Sequence, residues 1–357
     1  EDILERSKKI NGPVLIHVVT KKGKGYKLAE ENPDKFHGIS AYDKETGEVK
    51  KSKNYSKVFG EKLVKMASED KRIVAVTAAM RDGTGLKEFA EKFPDRFFDV
   101  GIAEQHALGL IAGMARAGLK PVLPIYSSFL QRGYDQIIHD IALSGIPVTV
   151  CIDRAGIVGN DGETHQGIFD LSFLSSIPNI VIMAPKNFEE LDKMLEFGVN
   201  LDKPVFIRYP RGGENFSFES TEDIELGKAE IVQEGTDLSI IAIGNMVGRA
   251  EEVASLLPEK SVEIINARFL KPLDEETILN SIRKTGYCIT IEDNLLKGGL
   301  GSAVVEAVNK SDIQDVKIKN FGYDDTFVEH GTVKELEDKY GLSAEKISGK
   351  LFTFTEM

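Results

Sequence analysis

The most chemically pointed stretch of the chain is Gly101-Ile102-Ala103-Glu104-Gln105-His106, between a short apolar strand at residues 97–100 and a run of small and apolar residues from Ala107 to Ala115. Glu104, Leu108, Ile111 and Ala115 fall on one helical face. A helix so rich in Gly and Ala packs closely and is expected to be mostly buried. Glu104 then lies in the first turn, at the positive end of the helix dipole, where a buried carboxylate needs a partner. Such a group can exchange a proton with a ring nitrogen, which is general acid–base chemistry. Taken alone it is equally a cap or the partner of a surface lysine, since acidic first turns are ordinary.

A second constellation lies about fifty residues on. Asp153-Arg154-Ala155-Gly156 leads into Gly159-Asn160-Asp161-Gly162-Glu163-Thr164-His165-Gln166-Gly167. Asn-Asp-Gly is turn chemistry in its own right, but Arg154, Asp161 and His165 converge there, and converging titratable groups favour function. Tyr126-Ser127-Ser128-Phe129 follows another strand. Arg208-Tyr209-Pro210-Arg211-Gly212-Gly213 offers two guanidinium forks suited to phosphate, or equally to an interdomain salt bridge. Near the start, Lys21-Lys22-Gly23-Lys24-Gly25-Tyr26 precedes Phe36-His37-Gly38. The lysines alone read as a solvated turn; Tyr26 with His37 is the more specific pair.

These residues must be held by elements. Residues 12–20 form a continuous β-branched run, expected to be a central parallel strand buried on both faces. A polar stretch at 40–53 reads as a linker. Helices are expected at 55–67, 86–93 and 129–144, with another that carries Glu104 in its first turn and runs on through the small and apolar residues after it, and strands at 73–78, 97–100, 121–126, 147–153, 180–184 and 204–209. After an acidic linker at 215–225, strands are expected at 238–244, 262–266, 287–292 and 316–321, and helices at 247–257, 274–284, 302–310 and 333–340. Alternating strands and helices with short connections predict an α/β fold of consecutive, mostly parallel sheets covered by helices. In such sheets ligands sit beyond the carboxyl ends of the strands, where the polar residues above collect. The division expected is residues 1–50, the tail of a first domain with its linker, then 51–220 and 221–357.

With 357 residues, 41% hydrophobic and 29% charged, the chain has the composition of a soluble globular protein. Its net charge of -12 argues against nucleic acid as a partner, and no apolar run is long enough to span a bilayer. Cys151 and Cys288 lie in apolar strand-like runs and read as buried thiols of a reducing compartment. No Cys/His spacing suggests a zinc site, and no metal ligands are expected in this chain. Gly298-Gly299-Leu300-Gly301 lacks dinucleotide-loop spacing and reads as a site of close helix packing. His330 reads as structural.

The segments Thr20-Lys21-Lys22-Gly23-Lys24-Gly25-Tyr26, Gly101 to His106, Tyr126-Ser127-Ser128-Phe129-Leu130-Gln131-Arg132, Asp153 to Gly156, Asp161 to Gly167 and Arg208 to Gly212 together resemble the 1-deoxy-D-xylulose-5-phosphate synthases, a family of transketolase-like thiamine-diphosphate enzymes. The resemblance runs from Gly12 to about Gly331. It implies a transketolase-like pyrimidine-binding domain followed by a transketolase-type C-terminal domain. It further implies condensation of pyruvate with D-glyceraldehyde 3-phosphate, with loss of CO2, to 1-deoxy-D-xylulose 5-phosphate. That is the first step of non-mevalonate isoprenoid synthesis and a source of thiamine and pyridoxal. On this resemblance Glu104 activates the cofactor aminopyrimidine, Phe129 stacks on it, and Tyr26 lines the cofactor pocket. Tyr126, Arg154 and Arg211, with Arg208 nearby, hold the polar groups of the acceptor. His37, Asp161 and His165 serve proton transfer and hold the pyruvate-derived group. A cytoplasmic homodimer is implied, with plastid location left open.

The family's magnesium ligands and diphosphate grip belong to its first domain, and no Gly-Asp-Gly with a following Asn ligand is found here. The chain, which opens on Glu1, is therefore expected to begin inside a longer polypeptide, to bind cofactor weakly or not at all by itself, and to be inactive alone. Alternatives are a transketolase, a 2-oxo acid dehydrogenase β-type subunit, or a catalytically silent dimerisation module. The Tyr26/His37 stretch and the 161–165 loop weigh against the first two, and Glu104, Arg154 and His165 together against the third.

Overall fold

A computed structural model of the chain describes residues 1–33, 35–36, 42–48, 53–214, 216 and 223–355, with side chains to residue 351. They form two compact units, Glu1–Ser52 and Lys53–Met357.

The smaller unit departs from expectation. Residues 13–20 form no strand, and Leu15, Val18 and Val19 are 94%, 69% and 82% exposed. A β-branched run becomes a strand only when neighbouring strands satisfy its backbone groups, and among the described residues no ladder includes it. Short helices Asp2–Ser7 and Lys27–Glu31 flank it. Tyr26 packs edge-on against Phe36, with ring centroids 5.3 Å apart, and its hydroxyl donates to the Lys44 carbonyl (2.8 Å).

The larger unit is the expected layered α/β arrangement. Strands β1 (Ile73–Thr77), β2 (Phe97–Asp99), β3 (Lys120–Tyr126), β4 (Thr149–Asp153), β5 (Val181–Met183) and β6 (Val205–Arg208) run parallel. Beyond them come β7 (Glu230–Gln233), β8 (Leu238–Ala242), β9 (Val262–Asn266), β10 (Phe269–Lys271), β11 (Tyr287–Leu295) and β12 (Lys317–Tyr323). The first sheet has the order β10-β5-β6-β4-β3-β1-β2, and the second β12-β11-β8-β9-β7. Among the described strands of the two sheets, only β10 on β5 and β7 on β9 pair antiparallel. Sequences such as IVAVT and TVCID, buried along their whole length, suit strands covered on both faces.

Strand β10 was not anticipated. Three residues of the C-terminal half complete the edge of the first sheet and make the two halves continuous. The hydrophobic core follows suit, joining Leu174, Ala184 and Phe206 to Ile241, Ile243 and Ile265. Buried charges cross the same junction. Lys186 pairs with Glu230, and Arg268 donates through Nε to Glu190 (2.8 Å), which also accepts from Asn266 Nδ2 (3.0 Å).

Most helices lie within a few residues of expectation, and several begin at a side-chain cap. Asn54 accepts from Lys57 N–H, Asp274 from Thr277 N–H, and Thr332 with Glu335 closes a capping box. The helix Phe188–Asn200 and the last helix, Ala344–Thr355, were not foreseen. The helix expected at 129–144 is instead a helical run from Ser127 to Ala142, interrupted by a 3-10 turn at Gln131–Gly133 and ending in a π-helical turn. Gly133 explains the first interruption: a Cβ there would lie 2.0 Å from Leu108 Cδ1, so the chain bends where the Glu104–Arg116 helix presses against it.

Candidate active site

Glu104 is the first residue of its helix and is buried, at 4% exposure. Leu108, Ile111 and Ala115 are buried on the same face, as their spacing predicted. The opposite face is not: Gln105, His106, Gly113 and Arg116 are exposed, and Ile102 ahead of them is 79% exposed. The Glu104 Oε2 meets Arg132 Nη1 at 3.5 Å, the outer limit of a hydrogen bond. A buried carboxylate with so long a contact keeps lone pairs for another donor, which fits the N–H of a ring nitrogen. Arg132, on the 3-10 turn after Phe129, was not singled out beforehand, although it ends the Tyr126-to-Arg132 segment that was.

The other end of that segment carries a denser cluster. Tyr126, the last residue of β3, stacks on Phe129 with centroids 5.3 Å apart, and His165 meets Phe129 edge-on at 5.5 Å. The Arg154 guanidinium lies 4.1 Å from the Tyr126 ring centroid, a cation–π contact. Arg154 also pairs with Asp161 through Nη1 and Oδ2, and Arg211 Nε approaches the same oxygen at 3.2 Å. One carboxylate therefore gathers two arginines beside an aromatic wall. Thr164 Oγ1 lies 3.0 Å from His165 Nδ1 and fixes the ring.

Burial pushes the Tyr126 hydroxyl up to about 12, so near neutral pH it is a phenol able to donate. The 80–85 loop covers it: a Cβ on Gly83 would fall 2.5 Å from the Tyr126 Oη. Arg154 has a left-handed backbone (φ 57°), a strained state for a side chain with a Cβ. It is kept there by Ala155 N–H donating to the Tyr209 carbonyl (3.0 Å) and by Gly167, where a Cβ would lie 2.3 Å from the Arg154 carbonyl oxygen.

Asp153 was passed over in favour of its neighbour. It is wholly buried, and neither carboxyl oxygen makes a hydrogen bond of normal geometry among the described residues. Burial raises it to about 7, only partly offset by Ser56 and by the Arg154 charge. Its polar identity at a strand end was the available signal.

Arg208 is placed differently from Arg154 and Arg211. Its guanidinium is buried, donating to Asp170 Oδ2 (2.8 Å) and to the Asp293 carbonyl (3.0 Å). Tyr26 belongs to the smaller unit, and His37 lies outside the described residues. His330 faces the loop tip, its Cδ2 3.8 Å from where a Gly162 Cβ would be. The glycines at 298–301 do allow close packing: Leu300 and Gly301 N–H both donate to the buried Glu292 carboxylate (2.8 Å each). Both cysteines are buried free thiols. Among the described residues no group of three or more His, Cys, Asp or Glu is disposed to hold a metal ion, and no helix is long and apolar enough to cross a membrane.

Residues 51–214 match the model of the transketolase pyrimidine binding domain, and residues 227–347 that of the transketolase C-terminal domain. The chain is 54% identical, over 346 residues, to the 1-deoxy-D-xylulose-5-phosphate synthase of Halothermothrix orenii, covering 95% of this chain and 54% of that protein. It is 52% identical over 357 residues to the synthase of Clostridium perfringens, covering 98% and 57%. The chain thus spans a little over half the length of these relatives. Among solved structures, a split gene transketolase described as an inactive beta4 tetramer superposes with a TM-score of 0.78 at 29% identity, covering 85% of this chain and 99% of that one. The transketolase of Campylobacter jejuni shares the fold, with a TM-score of 0.71 at 20% identity over 92% of this chain and 50% of that one.

Proposed function

We propose that this chain, which belongs to the transketolase-like family, forms the pyrimidine-binding and C-terminal portion of a 1-deoxy-D-xylulose-5-phosphate synthase, joining pyruvate to D-glyceraldehyde 3-phosphate with loss of CO2. The observation that carries this reading is the gathering of Arg154 and Arg211 on Asp161, beside Tyr126 and Phe129. Two guanidinium forks and a phenol beyond the carboxyl ends of β3, β4 and β6 suit a phosphorylated aldehyde. The high identity to synthases supports it further.

Thiamine diphosphate, when bound, supplies a nucleophilic carbon and an electron sink for decarboxylation. The buried Glu104, with its one long contact to Arg132, and the half-buried Phe129 ring fit its pyrimidine end. In this reading Glu104 holds the proton exchanged with the pyrimidine nitrogen. Phe129 orients the ring. Arg154, Arg211 and the Tyr126 hydroxyl fix the acceptor phosphate and so place the aldehyde, a proximity effect. Asp161 keeps the two arginines in register. His165, edge-on to Phe129, moves protons at the condensing carbons. Arg208, held by Asp170, is assigned to the surroundings of this cluster. Tyr26 and His37 are assigned to the cofactor and substrate side, and magnesium to residues other than those of this chain. A homodimer in the cytoplasm completes the reading.

A second reading is a separate, catalytically silent subunit. The likeness over 99% of the split gene transketolase chain favours it. One experiment separates the two. The complete product of the gene encoding this chain is supplied with thiamine diphosphate and magnesium, and CO2 release from pyruvate is followed with and without D-glyceraldehyde 3-phosphate. Aldehyde-dependent release, falling about 10²- to 10⁴-fold in Glu104→Gln, is expected. No release under any condition favours the silent subunit, and release that needs a lipoyl acceptor moves the assignment to a 2-oxo acid dehydrogenase.

A further inference from the structure

The loop carrying Asp161 and His165 is closed at its neck. Gly156 and Gly167 exchange two backbone hydrogen bonds of 2.7 Å, an isolated antiparallel bridge outside either sheet. Two bonds would not fix the geometry of the ten residues between them. What holds the neck comes from the other half of the molecule, at the carboxyl end of β11.

Asp293 is buried, and its Oδ1 accepts from Ile157 N–H (3.1 Å) and from Tyr323 Oη–H (3.0 Å). Its Oδ2 presses on Gly156, where a Cβ would stand 1.9 Å away, so this position takes only glycine while Asp293 is present. Its own carbonyl accepts from Arg208 Nη2 (3.0 Å), and the next residues extend the clamp, Leu295 N–H donating to the Ile168 carbonyl (2.9 Å). A second tie lies alongside. Gln166 accepts from Val158 N–H (2.8 Å) and donates to the Glu329 carbonyl (2.9 Å). Three of these links end on backbone of the loop or its neck, at Ile157 N–H, Val158 N–H and the Ile168 carbonyl. None touches the Arg154–Asp161–Arg211 cluster.

We propose that Asp293 is a positioning residue of the active site: it sets the register of the neck at residues 156–157, and through it the placement of Arg154 and Asp161 against the acceptor phosphate. Arg154 lies two residues before Gly156 in a strained backbone state, so a shift of the neck passes directly into its guanidinium. The C-terminal half therefore shapes acceptor binding without contributing a group that touches substrate. This inference rests on the reading of that cluster as the acceptor-phosphate site.

The test uses the complete gene product and two independent readouts. Asp293→Ala leaves Ile157 N–H and Tyr323 Oη buried without their acceptor. It is expected to raise the KM for D-glyceraldehyde 3-phosphate about 10- to 100-fold, more than it changes kcat or the KM for pyruvate. Amide hydrogen exchange is expected to accelerate across 155–168 and to remain unchanged across 262–266. Asp293→Asn keeps an oxygen for both donors and should restore most of the loss. Where Asp293→Ala does not fold, Gly156→Ala displaces the same contact from the loop side and is expected to give the same KM split. An unchanged acceptor KM, a loss confined to kcat, or unchanged exchange across 155–168 would overturn the assignment. If the wild type itself turns over nothing, the acceptor-site reading fails, and the exchange data still decide whether Asp293 holds the neck.

Discussion

The arginines of the candidate site differ less in sequence than in what surrounds them. Arg208 and Arg211 are three residues apart, yet the first is buried against Asp170 and the second is partly exposed beside Asp161. Arg208→Met therefore leaves Asp170 buried and unpaired and is expected to lower stability by about 3–5 kcal/mol in urea unfolding. Arg211→Met loses a partly solvated pair worth about 0–1 kcal/mol and is expected instead to raise the KM for the phosphorylated acceptor in the complete enzyme. Equal losses of stability in the two variants would remove the distinction. From sequence both arginines were candidates for phosphate, because guanidinium chemistry is visible in a residue type whereas its desolvation is not.

At the scale of elements, the site depends on one helix pressing on one turn. The Glu104–Arg116 helix meets the Gln131–Gly133 turn where Gly133 leaves room for Leu108. Gly133→Ala forces the Leu108 side chain aside and is expected to cost about 1–3 kcal/mol. The same displacement moves Arg132 away from Glu104, so activity of the complete enzyme should fall by more than the stability loss explains. Thermal unfolding and turnover measured on the same samples check both parts. The strands and most helices around this contact were legible because continuous β-branched runs and apolar residues at helical spacing are local signals. The 3-10 break was not, since it answers to a side chain twenty-five residues upstream. Strand β10 escaped for a like reason, being three residues long and defined only by pairing with β5.

For the whole molecule, the buried carboxyls set the response to pH. Asp153 is raised from 3.8 to about 7 by burial, Glu292 to about 8 and Glu337 to about 7. Between these values and the unfolded ones the native state binds protons that the unfolded chain has released. Their contribution to stability is therefore complete below about pH 4 and is lost as pH rises through 7 to 8. For Asp153 the difference amounts to at most on the order of 4 kcal/mol. Asp153→Asn cannot titrate, so the fall in the urea midpoint between pH 5 and pH 8 is expected to shrink, with Glu292, Glu337 and the other carboxyls raised by burial supplying what remains. An identical fall in the variant would mean that Asp153 is ionised and paired in the native state.

What the sequence by itself determined is what local patterning encodes. The alternation of strands and helices fixes an α/β fold, and the spacing of Glu104, Leu108, Ile111 and Ala115 fixes which face of that helix is buried. Charged and aromatic residues at the ends of β3, β4 and β6 mark the sheet edge where chemistry would gather. Tertiary structure alone decided how those residues are used. It buried Arg208 against Asp170, left residues 13–20 exposed without strand partners among the described residues, and brought Asp293 from the second half against Gly156 of the first. Burial, pairing and desolvation are properties of neighbours in space, and these neighbours lie up to 137 residues apart along the chain.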